Sequence, residues 1–471
     1  MGTTTRPPAA PGRAPTRRRQ ADLIVLGVEV ALVALAAAVG AVLNARGVGL
    51  HADAAPLYAT WRPHAGWGTP AAVLVALAVA GPGVRWARVA RWGPLLGAAW
   101  LASAVWTLSL ALVDGWSAGF TERLTVQAEY LHEVPGIRDV PATLAGFAGR
   151  ILDFQPDSWS THTAGHPPGA LLVFVALDRI GLGGGTAAAL ACVLVGTSVT
   201  VSVPVALRAL GAEPAARAVL PFLVLLPGAV WVGASADGLF AGVVAAGLAL
   251  LAVRGRLAPA AGGVVLGFAL YLSYGFVLVG LLALVVVALR PGHRIAALLA
   301  GIAGVTTVVV ACTAAGFWWW DGYQRVVERY YQGWAADRPY GYWVWANLAA
   351  LVLSAGPVLG PALRRAVRAG LAAVRPAPPG AGGRPALRGV WLVGQGVAAG
   401  PAVLLPVAAA VVVLAADLSG LSKAEVERIW LPFAVWLLVA TAQLPPATRR
   451  WWLAGQAATA LAVNHLLFTV S

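Results

Sequence analysis

Charged residues are scarce in this chain. Of its 471 residues, 11% are charged and 59% are hydrophobic, whereas a soluble domain would carry roughly a quarter charged residues. Lysine is nearly absent, because Lys423 is the only one, so the formal net charge of +14 comes almost wholly from arginine. A basic soluble protein would suggest a nucleic-acid partner, but the shortage of charge argues against that class. The arginines are better explained as residues of cytoplasmic loops that fix the topology of a membrane protein.

Cysteine and methionine are nearly absent as well. Cys192 and Cys312 are the only cysteines, and both lie inside apolar runs. They are expected to pack there rather than to form a disulfide or a metal site. Glycine and tryptophan are abundant instead, with 55 and 20 residues. Glycine is frequent in closely packed membrane helices and tryptophan at membrane interfaces, so both favour an integral membrane protein.

Apolar runs that could cross a bilayer recur along the chain. Since a spanning helix needs about 20 mostly apolar residues, these runs predict an all-α membrane protein with about 13 transmembrane helices. The predicted spans are 23–43, 67–84, 93–113, 186–208, 217–234, 238–253, 258–272, 274–290, 295–316, 343–362, 389–415, 429–444 and 451–470. Residues 1–22 are expected to form a short disordered cytoplasmic tail, residues 364–388 a flexible cytoplasmic linker, and span 389–415 a tilted or broken helix.

The distribution of charge supports this map when the N-terminus is placed in the cytoplasm. Alternation of the spans then puts 22 of the 33 basic residues inside and 16 of the 19 acidic residues outside. This is the positive-inside pattern of membrane proteins. The sequence therefore predicts a multi-pass protein of the cell membrane with a cytoplasmic N-terminus. Glu29 is an acidic residue within a span, where we expect it to be paired or to reach the interface.

The alternation also requires that residues 166–184 do not cross the membrane. This segment, HPPGALLVFVALDRIGLGG, is short and carries Asp178 and Arg179, so it is expected to lie at the outer interface. Within the largest outer segment, residues 117–132 and 141–152 are predicted to form short amphipathic helices. The outer segments are 44–66, 114–185, 317–342 and 416–428.

Ionisable residues at the outer ends of the spans are candidates for chemistry, because such groups are costly in a membrane unless paired or used. Asp114 ends the third span, Asp237 lies in the short outer turn SADGLF, and Arg428 starts the twelfth span beside two glutamates. Each also has a structural interpretation as a helix cap, a topology marker or an interfacial ion pair. The candidate site residues are Asp114, Glu122, His162, His166, Asp237, Tyr274, Arg338 and Arg428.

Three motifs follow one another within residues 114–275. They are VDGWSAGFTERL, GHPPGALL and SADGLF, and the later stretches RPYGYW and EVERIWLPF continue the pattern more weakly. The ordered set resembles the GT-C glycosyltransferases, a class of multi-spanning enzymes. It includes protein O-mannosyltransferases, aminoarabinose transferases and bacterial cell-envelope arabinosyl- and mannosyltransferases. The layout is also similar to that of uncharacterised actinobacterial membrane proteins.

The resemblance implies a GT-C-like fold, from which the chain departs in two ways. Asp114 follows the third span rather than the first, and the next acidic residue, Glu122, is too distant for the pair of adjacent acids seen in many members. A two-acid metal site is therefore not indicated. The implied division is a tail (1–22), a two-helix N-terminal addition (23–92), a catalytic core (93–290) with outer loop 114–185, and C-terminal membrane helices (291–471) with outer loops 317–342 and 416–428.

The resemblance also implies inverting transfer of a sugar from a polyprenyl-phosphate donor to a glycan, lipid or protein acceptor outside the bilayer. Asp114 would then be the general base, and Arg428, or Arg338 after it, would bind the lipid phosphate. His166 would orient the phosphate or the acceptor, and Asp237 would bind sugar hydroxyls or help to hold a divalent metal ion. The remaining candidates, expected to contact substrate, are Glu122, His162 and Tyr274.

Two other functions stay open from the sequence. A transporter or flippase of an envelope precursor would show inverted repeats, broken helices and ionisable residues at midplane. Glu29 is the only acidic residue well inside a predicted span, and no repeat is evident. A non-catalytic lipid-binding or assembly protein could share the GT-C scaffold, since a fold does not determine a function.

Overall fold

A computed structural model describes residues 13–233, 235–374 and 400–469. This part of the chain is mostly α-helical, with short 3₁₀ and π turns and one two-stranded sheet. The elements are α1 (Arg13–Ala45), β1 (Ala59–Trp61), α2 (Thr69–Ala78), α3 (Val84–Val89), α4 (Trp92–Ala111), α5 (Val140–Gly146), α6 (Thr161–Gly165), α7 (Pro168–Arg179), α8 (Gly185–Thr197), α9 (Val199–Ala209), α10 (Glu213–Val224), α11 (Ala229–Val232), α12 (Ala236–Ala252), α13 (Ala258–Ala269), α14 (Val279–Leu289), α15 (Arg294–Ala314), α16 (Trp319–Gln332), α17 (Tyr340–Ala355), α18 (Leu359–Val374), α19 (Pro401–Leu418), α20 (Val426–Ile429), α21 (Leu431–Leu437), α22 (Arg449–Leu466) and β2 (Leu467–Thr469).

Six helical stretches of the described residues are long and apolar enough to cross a membrane. They are Arg18–Ala45, Thr69–Val89, Trp92–Ala111, Gly185–Ala209, Arg294–Ala314 and Pro401–Leu418. A seventh is added if α17 and α18, which are bent by 99° at their junction, form one span. The predicted class, a helical membrane protein, is thus confirmed, with the small sheet as an addition. The finer prediction of about 13 crossings stays a prediction.

Helix α12 lies at the centre of the bundle. Of its 17 residues 14 are buried, because α8, α9, α13, α14 and α21 pack around it. Glycine allows this close packing, since a Cβ atom at Gly242 would overlap the backbone of Val195 in α8. Helices α1 and α15 lie at the periphery and expose apolar side chains such as Ile24 and Leu299. Their outward faces are suited to lipid.

The predicted outer segments contact one another in the structure. Strand β1 pairs antiparallel with β2, so the first outer segment lies beside the end of α22. The Tyr58 amide donates to Glu427 Oε1 at 2.9 Å. The Asp153 amide donates to Gln332 Oε1 at 2.7 Å. Together with the contacts of His51 to Asp337 and of Arg428 to His162, these contacts join all four outer segments at one end of the bundle.

The predicted cytoplasmic segments also contact one another. Asp22 accepts hydrogen bonds from Arg364 and Arg365, with 3.0 Å between Asp22 Oδ2 and Arg365 Nε. Arg217 Nη1 donates to the Ala87 carbonyl at 3.1 Å. Polar contacts therefore gather at two ends of the bundle. Which end faces the cytoplasm stays a prediction from the distribution of arginine.

The structure corrects one expected helix in the largest outer segment. Residues 117–132 do not form a helix, but only a π turn at Ser117–Thr121 and a 3₁₀ turn at Tyr130–His132. Arg123 and Glu129 turn inward there to bind partners far along the chain. These tertiary contacts outweigh the local helical spacing.

The second expected interfacial helix, 141–152, is shorter than expected. It is reduced to α5 and a 3₁₀ turn at Ala148–Arg150, and Phe147 and Ile151 are buried on one face. Segment 166–184 contains α7, whose 12 residues would extend about 18 Å, too short for a bilayer core of about 30 Å. One face of α7 is buried against the protein.

Several predicted boundaries were also wrong. Helix α1 begins at Arg13, so the second half of the expected disordered tail is helical. Helix α18 extends to Val374, so residues 364–374 of the expected linker are helical. Residues 375–388 lie outside the described part. The predicted span 343–362 is broken, because Gly356 has a φ of +97° and the chain bends there.

Two further spans differ from expectation. The predicted span 217–234 is divided into α10 and the short α11. Helix α19 begins at Pro401, whereas residues 389–399 of the predicted span 389–415 lie outside the described residues.

Cysteine labelling tests the orientation of the bundle. In a background with Cys192→Ala and Cys312→Ala, we expect Gln155→Cys to react with a membrane-impermeant maleimide on intact cells, because residues 114–185 are predicted to lie outside. Arg256→Cys, in the exposed turn between α12 and α13, should react only after permeabilisation. The reverse pattern would overturn the orientation.

Candidate functional site

Most of the candidate residues fall into two polar clusters at the end of the bundle where the outer segments meet. Between these clusters, the described residues form no hydrogen bond or ion pair. We name them the Arg428 cluster, which comprises Glu129, Tyr130, His162, His166, Asp237, Arg338, Glu425, Glu427 and Arg428, and the Asp114 cluster, which comprises His64, Asp114 and Arg123.

Arg428 is the central residue of its cluster. Its Nη1 donates to Asp237 Oδ2 at 2.8 Å and its Nη2 to Glu425 Oε2 at 2.5 Å. Asp237 lies in the first turn of α12, and Glu425 has a left-handed backbone, with φ of +62°, immediately before α20. The Arg428 side chain is 6% exposed. The structure thus joins two candidates that are far apart in the sequence.

His162 connects the guanidinium of Arg428 to a buried carboxylate. Arg428 Nη2 lies 3.3 Å from His162 Nε2, and His162 Nδ1 lies 2.6 Å from Glu129 Oε1. Because a guanidinium only donates, His162 Nε2 must accept, and Nδ1 carries the proton that is donated to Glu129. The contacts therefore select one neutral tautomer of His162.

His166 reaches the cluster indirectly. Its Nδ1 lies 2.9 Å from both the Tyr130 hydroxyl and the His162 carbonyl oxygen. Burial lowers the pKa of His166 and favours its neutral form. The four principal sequence candidates are thus divided, because His166, Asp237 and Arg428 share one network and Asp114 belongs to another.

Arg338 supplies the second positive charge of the Arg428 cluster. Its Nη1 donates to Glu425 Oε1 at 3.2 Å and to the Lys423 carbonyl at 2.9 Å. Burial alone would raise the pKa of Glu425, but Arg428 and Arg338 together lower it to about 2. Burial works against the charge of Arg428, whereas Glu425 and Asp237 raise its pKa. The core of the cluster is therefore ionised at neutral pH.

Glu427 differs from its neighbours, because no cation pairs with it among the residues that the structure describes. It is fully buried, and its Oε1 accepts from the Tyr58 amide at 2.9 Å. Its Oε2 has no hydrogen-bond partner in that part of the chain. Burial raises the pKa of Glu427 to about 7. Glu427 thus titrates in the physiological range.

Glu427→Gln should remove part of the pH dependence of stability. The folded pKa of Glu427 is raised to about 7, so its stabilising contribution is complete below the unfolded value of about 4.3 and is lost as the pH rises through about 7. The lowered pKa of Glu425 acts at lower pH, where stability is lost on acidification. We expect the wild-type Tm to fall between about pH 5 and pH 8 more steeply than that of the variant. Parallel Tm profiles would contradict this role.

The Asp114 cluster forms where α4 ends. Asp114 Oδ1 lies 2.6 Å from His64 Nε2, and Asp114 Oδ2 accepts from Arg123 Nη2 at 3.3 Å. The segment that carries His64 lies close to the end of α4, since a Cβ atom at Gly66 would overlap the backbone of Val113. Burial raises the pKa of Asp114, although Arg123 and His64 oppose this.

A short contact joins Asp114 to His64. His64 Nδ1 lies 2.6 Å from the Arg62 carbonyl, which only accepts, so Nδ1 carries a hydrogen. The short contact between Asp114 Oδ1 and His64 Nε2 then needs one further proton, on either the imidazole or the carboxyl group. Such a pair can accept and release a proton.

Two candidates lie apart from both clusters. Glu122 is exposed on the outer loop, and its side chain makes no described hydrogen bond. Tyr274 is buried and packs edge-on against Trp319 of α16, with 5.3 Å between ring centroids. Neither side chain contacts Arg428 or Asp114 in the described structure. Their expected substrate contacts stay predictions.

Six residues of the clusters were not among the candidates. Glu425 and Glu427 were noted only as neighbours of Arg428, and sequence reasoning missed His64, Arg123, Glu129 and Tyr130. Arg123 and Glu129 were assigned to a surface helix, so their burial could not be foreseen. The sequence did hold one signal for Arg123. Basic residues are a minority in the predicted outer segments, and Arg123 directly follows the acidic Glu122. His64 lies in the two-helix addition, which the resemblance placed outside the catalytic core.

The residues do not fit the divalent metal ion suggested for Asp237. Its carboxylate is bound by the guanidinium of Arg428, and a cation beside a guanidinium is unfavourable. Across the described ranges, no group of three or more His, Cys, Asp or Glu side chains could hold a metal ion. We therefore derive no step that uses a metal at this position.

Comparisons of the chain with protein-family models, with curated proteins and with solved structures find no match. A functional proposal therefore depends on the geometry of the two clusters and on the sequence motifs around them.

Proposed function

We propose that the protein is an inverting membrane glycosyltransferase of the GT-C type. It would transfer a sugar from a polyprenyl-phosphate donor to a cell-envelope acceptor at the outer ends of about 13 membrane helices. The observation that carries the proposal is the buried Asp114 carboxylate, which lies 2.6 Å from His64 at the end of α4. A proton-sharing pair in that position is suited to general base catalysis.

The reaction needs a base on the acceptor side. The acceptor hydroxyl oxygen forms a bond to the anomeric carbon while the bond from that carbon to the phosphate oxygen breaks. In this step Asp114 is the carboxylate and the proton between the pair is on His64, so the hydroxyl proton passes to Asp114 and the lipid phosphate leaves with the bonding electron pair. The raised pKa of Asp114 supports this role, because a base is most effective when its pKa approaches the working pH.

The leaving phosphate needs a cation, and we assign that role to Arg428. Its Nη1 and Nη2 are bound within the protein, but its buried Nε has no hydrogen-bond partner among the described residues. A phosphate oxygen would satisfy this buried donor once the site opens to admit the lipid phosphate. The adjacent His162 is more accessible than Arg428, because 18% of its side chain is exposed. Arg338 is the second choice, because its guanidinium is already bound to Glu425 and three backbone carbonyls.

The proposal requires one substrate complex to reach both clusters. Residues 114–130 connect them, since this segment starts at Asp114 and ends at Tyr130 beside His166. Phe120, midway along it, packs with Val193 of α8 in a small apolar cluster. The sugar would lie along this segment, with its anomeric carbon towards Asp114.

One observation favours the non-catalytic alternative. Every Nη atom of Arg428 and Arg338 already binds a group of the protein, and these bonds join all four outer segments. Such a network can serve stability alone. The transporter alternative gains no comparable support, because the buried Glu29 accepts from the Gly360 amide at 2.6 Å and so caps the start of α18.

A transfer assay tests the proposal. Purified full-length protein in liposomes is incubated with a panel of radiolabelled polyprenyl-phosphate pentoses and hexoses and with membrane acceptors. We expect at least one donor to be consumed, by transfer or by hydrolysis, and to remain intact with Asp114→Asn. A folded wild-type protein that binds a donor without consuming it would support the non-catalytic alternative instead.

A further inference from the structure

A cavity lies at the end of the bundle opposite to both clusters. It has a volume of about 540 Å³ and lies where α9, α12 and α14 end and α4 begins. Its lining includes Trp92, Val205, Arg208, Val253, Arg254 and Leu289. These ends belong to the predicted cytoplasmic side, where the arginines gather.

The lining of this cavity combines apolar walls with two arginines and contains no acidic residue. Arg208 is held in place, because its Nε lies 3.0 Å from Glu213 Oε2 and its guanidinium stacks on Trp92 at 4.5 Å. Arg254 is exposed and has no carboxylate partner among the described residues. The cavity therefore offers one fixed and one available guanidinium to an anion.

The surroundings of the cavity specify a ligand with an apolar tail. Arg254 is followed by Leu257, which is 82% exposed, and Pro291 is followed by Ile295, which is 75% exposed. Such exposed apolar side chains belong to a lipid-facing surface. The cavity therefore lies at the boundary between this surface and the arginine-rich end of the bundle. Inorganic phosphate would satisfy the guanidiniums but leave the walls formed by Val205 and Leu289 unoccupied.

We infer that this cavity binds an anionic phospholipid of the cytoplasmic leaflet. The headgroup phosphate accepts hydrogen bonds from Arg254 and Arg208, and the start of an acyl chain lies along Val205 and Leu289. Basic pockets between membrane helices bind anionic headgroups by this combination of charge and apolar contact. The site is independent of the proposed transferase activity at the other end of the bundle.

Native mass spectrometry of the full-length protein, delipidated in detergent, tests the inference. We expect phosphatidylglycerol to bind more tightly than phosphatidylcholine. Arg254→Gln should weaken phosphatidylglycerol binding about fivefold, the effect of roughly one arginine near an anionic surface. Ala209→Phe, which fills the cavity and keeps every charge, should also weaken it. Arg85→Gln removes the same charge at an exposed position of α3 outside the cavity and should leave binding unchanged.

The remaining outcomes would overturn the inference. Equal losses with Arg254→Gln and Arg85→Gln would show a general basic surface rather than a site. Equal binding of phosphatidylglycerol and phosphatidylcholine would remove the role of charge. Displacement of the lipid by inorganic phosphate at a similar concentration would show a free-anion site without contacts to the tail.

Discussion

Replacement of Asp114 by asparagine should lower sugar transfer by about 10²–10⁴-fold, the range typical of general acid–base catalysis. Asparagine keeps the size of the side chain and one oxygen acceptor, but it cannot take the acceptor proton. Donor binding should change little, because the phosphate is assigned to Arg428 in the other cluster. Initial rates at saturating donor, together with the donor Kd, measure the two effects separately.

The control for this variant is Asp157→Asn, the same change at an exposed aspartate of the same loop. It should transfer sugar at the wild-type rate. Loss of Asp114 also leaves Arg123 buried without its carboxylate, so the rates must be compared on protein with a measured Tm and a normal elution volume. A folded Asp114→Asn protein with wild-type transfer would remove Asp114 as the base.

Arg428→Ala should lower the free energy of unfolding by about 3–5 kcal/mol, the cost of breaking a buried ion pair by removing one partner. Asp237 would then be buried without its cation, whereas Glu425 would retain Arg338. Thermal and denaturant unfolding in detergent measure the loss. The matched control is Arg325→Ala, which breaks an exposed pair with Asp321 in α16 and should cost at most about 1 kcal/mol.

The double variant Arg428→Gln with Asp237→Asn separates stability from ligand binding. It removes both charges of the buried pair, so part of the stability should return relative to Arg428→Ala. Donor affinity should stay low if Arg428 binds the phosphate. Recovery of donor affinity together with stability would show that Arg428 acts only through the fold.

The helical membrane class could be predicted from the sequence because it depends on local composition. Each predicted span coincides at least in part with one or more helices in the described residues. Breaks in the helices were harder to predict, because an apolar run has the same composition whether its helix continues or is interrupted. Gly356 followed by Pro357 was a local signal for the 99° bend. However, this signal lay inside an apolar run that already had the length of one spanning helix.

The site was predicted only in part, because local sequence does not encode long-range pairing. Asp237 and Arg428 were both selected, yet they are 191 residues apart and nothing in the sequence joins them. His64 was missed for the same reason, since its partner Asp114 follows three helices later. Glu129 was missed because its helical spacing suggested a surface position, and the contact with His162 overrides that spacing.

The sheet between β1 and β2 constrains the order in which the protein assembles. Ala59 pairs with Thr469, so the first of these two strands is synthesised long before the second. Contacts between residues so distant in sequence form late, after the intervening chain has been placed. The strand pairing that completes the first outer loop, which carries Tyr58 and His64, therefore forms only after α22 has been made. Both polar clusters contact that loop, so a chain arrested before α22 would lack this pairing beside its candidate site.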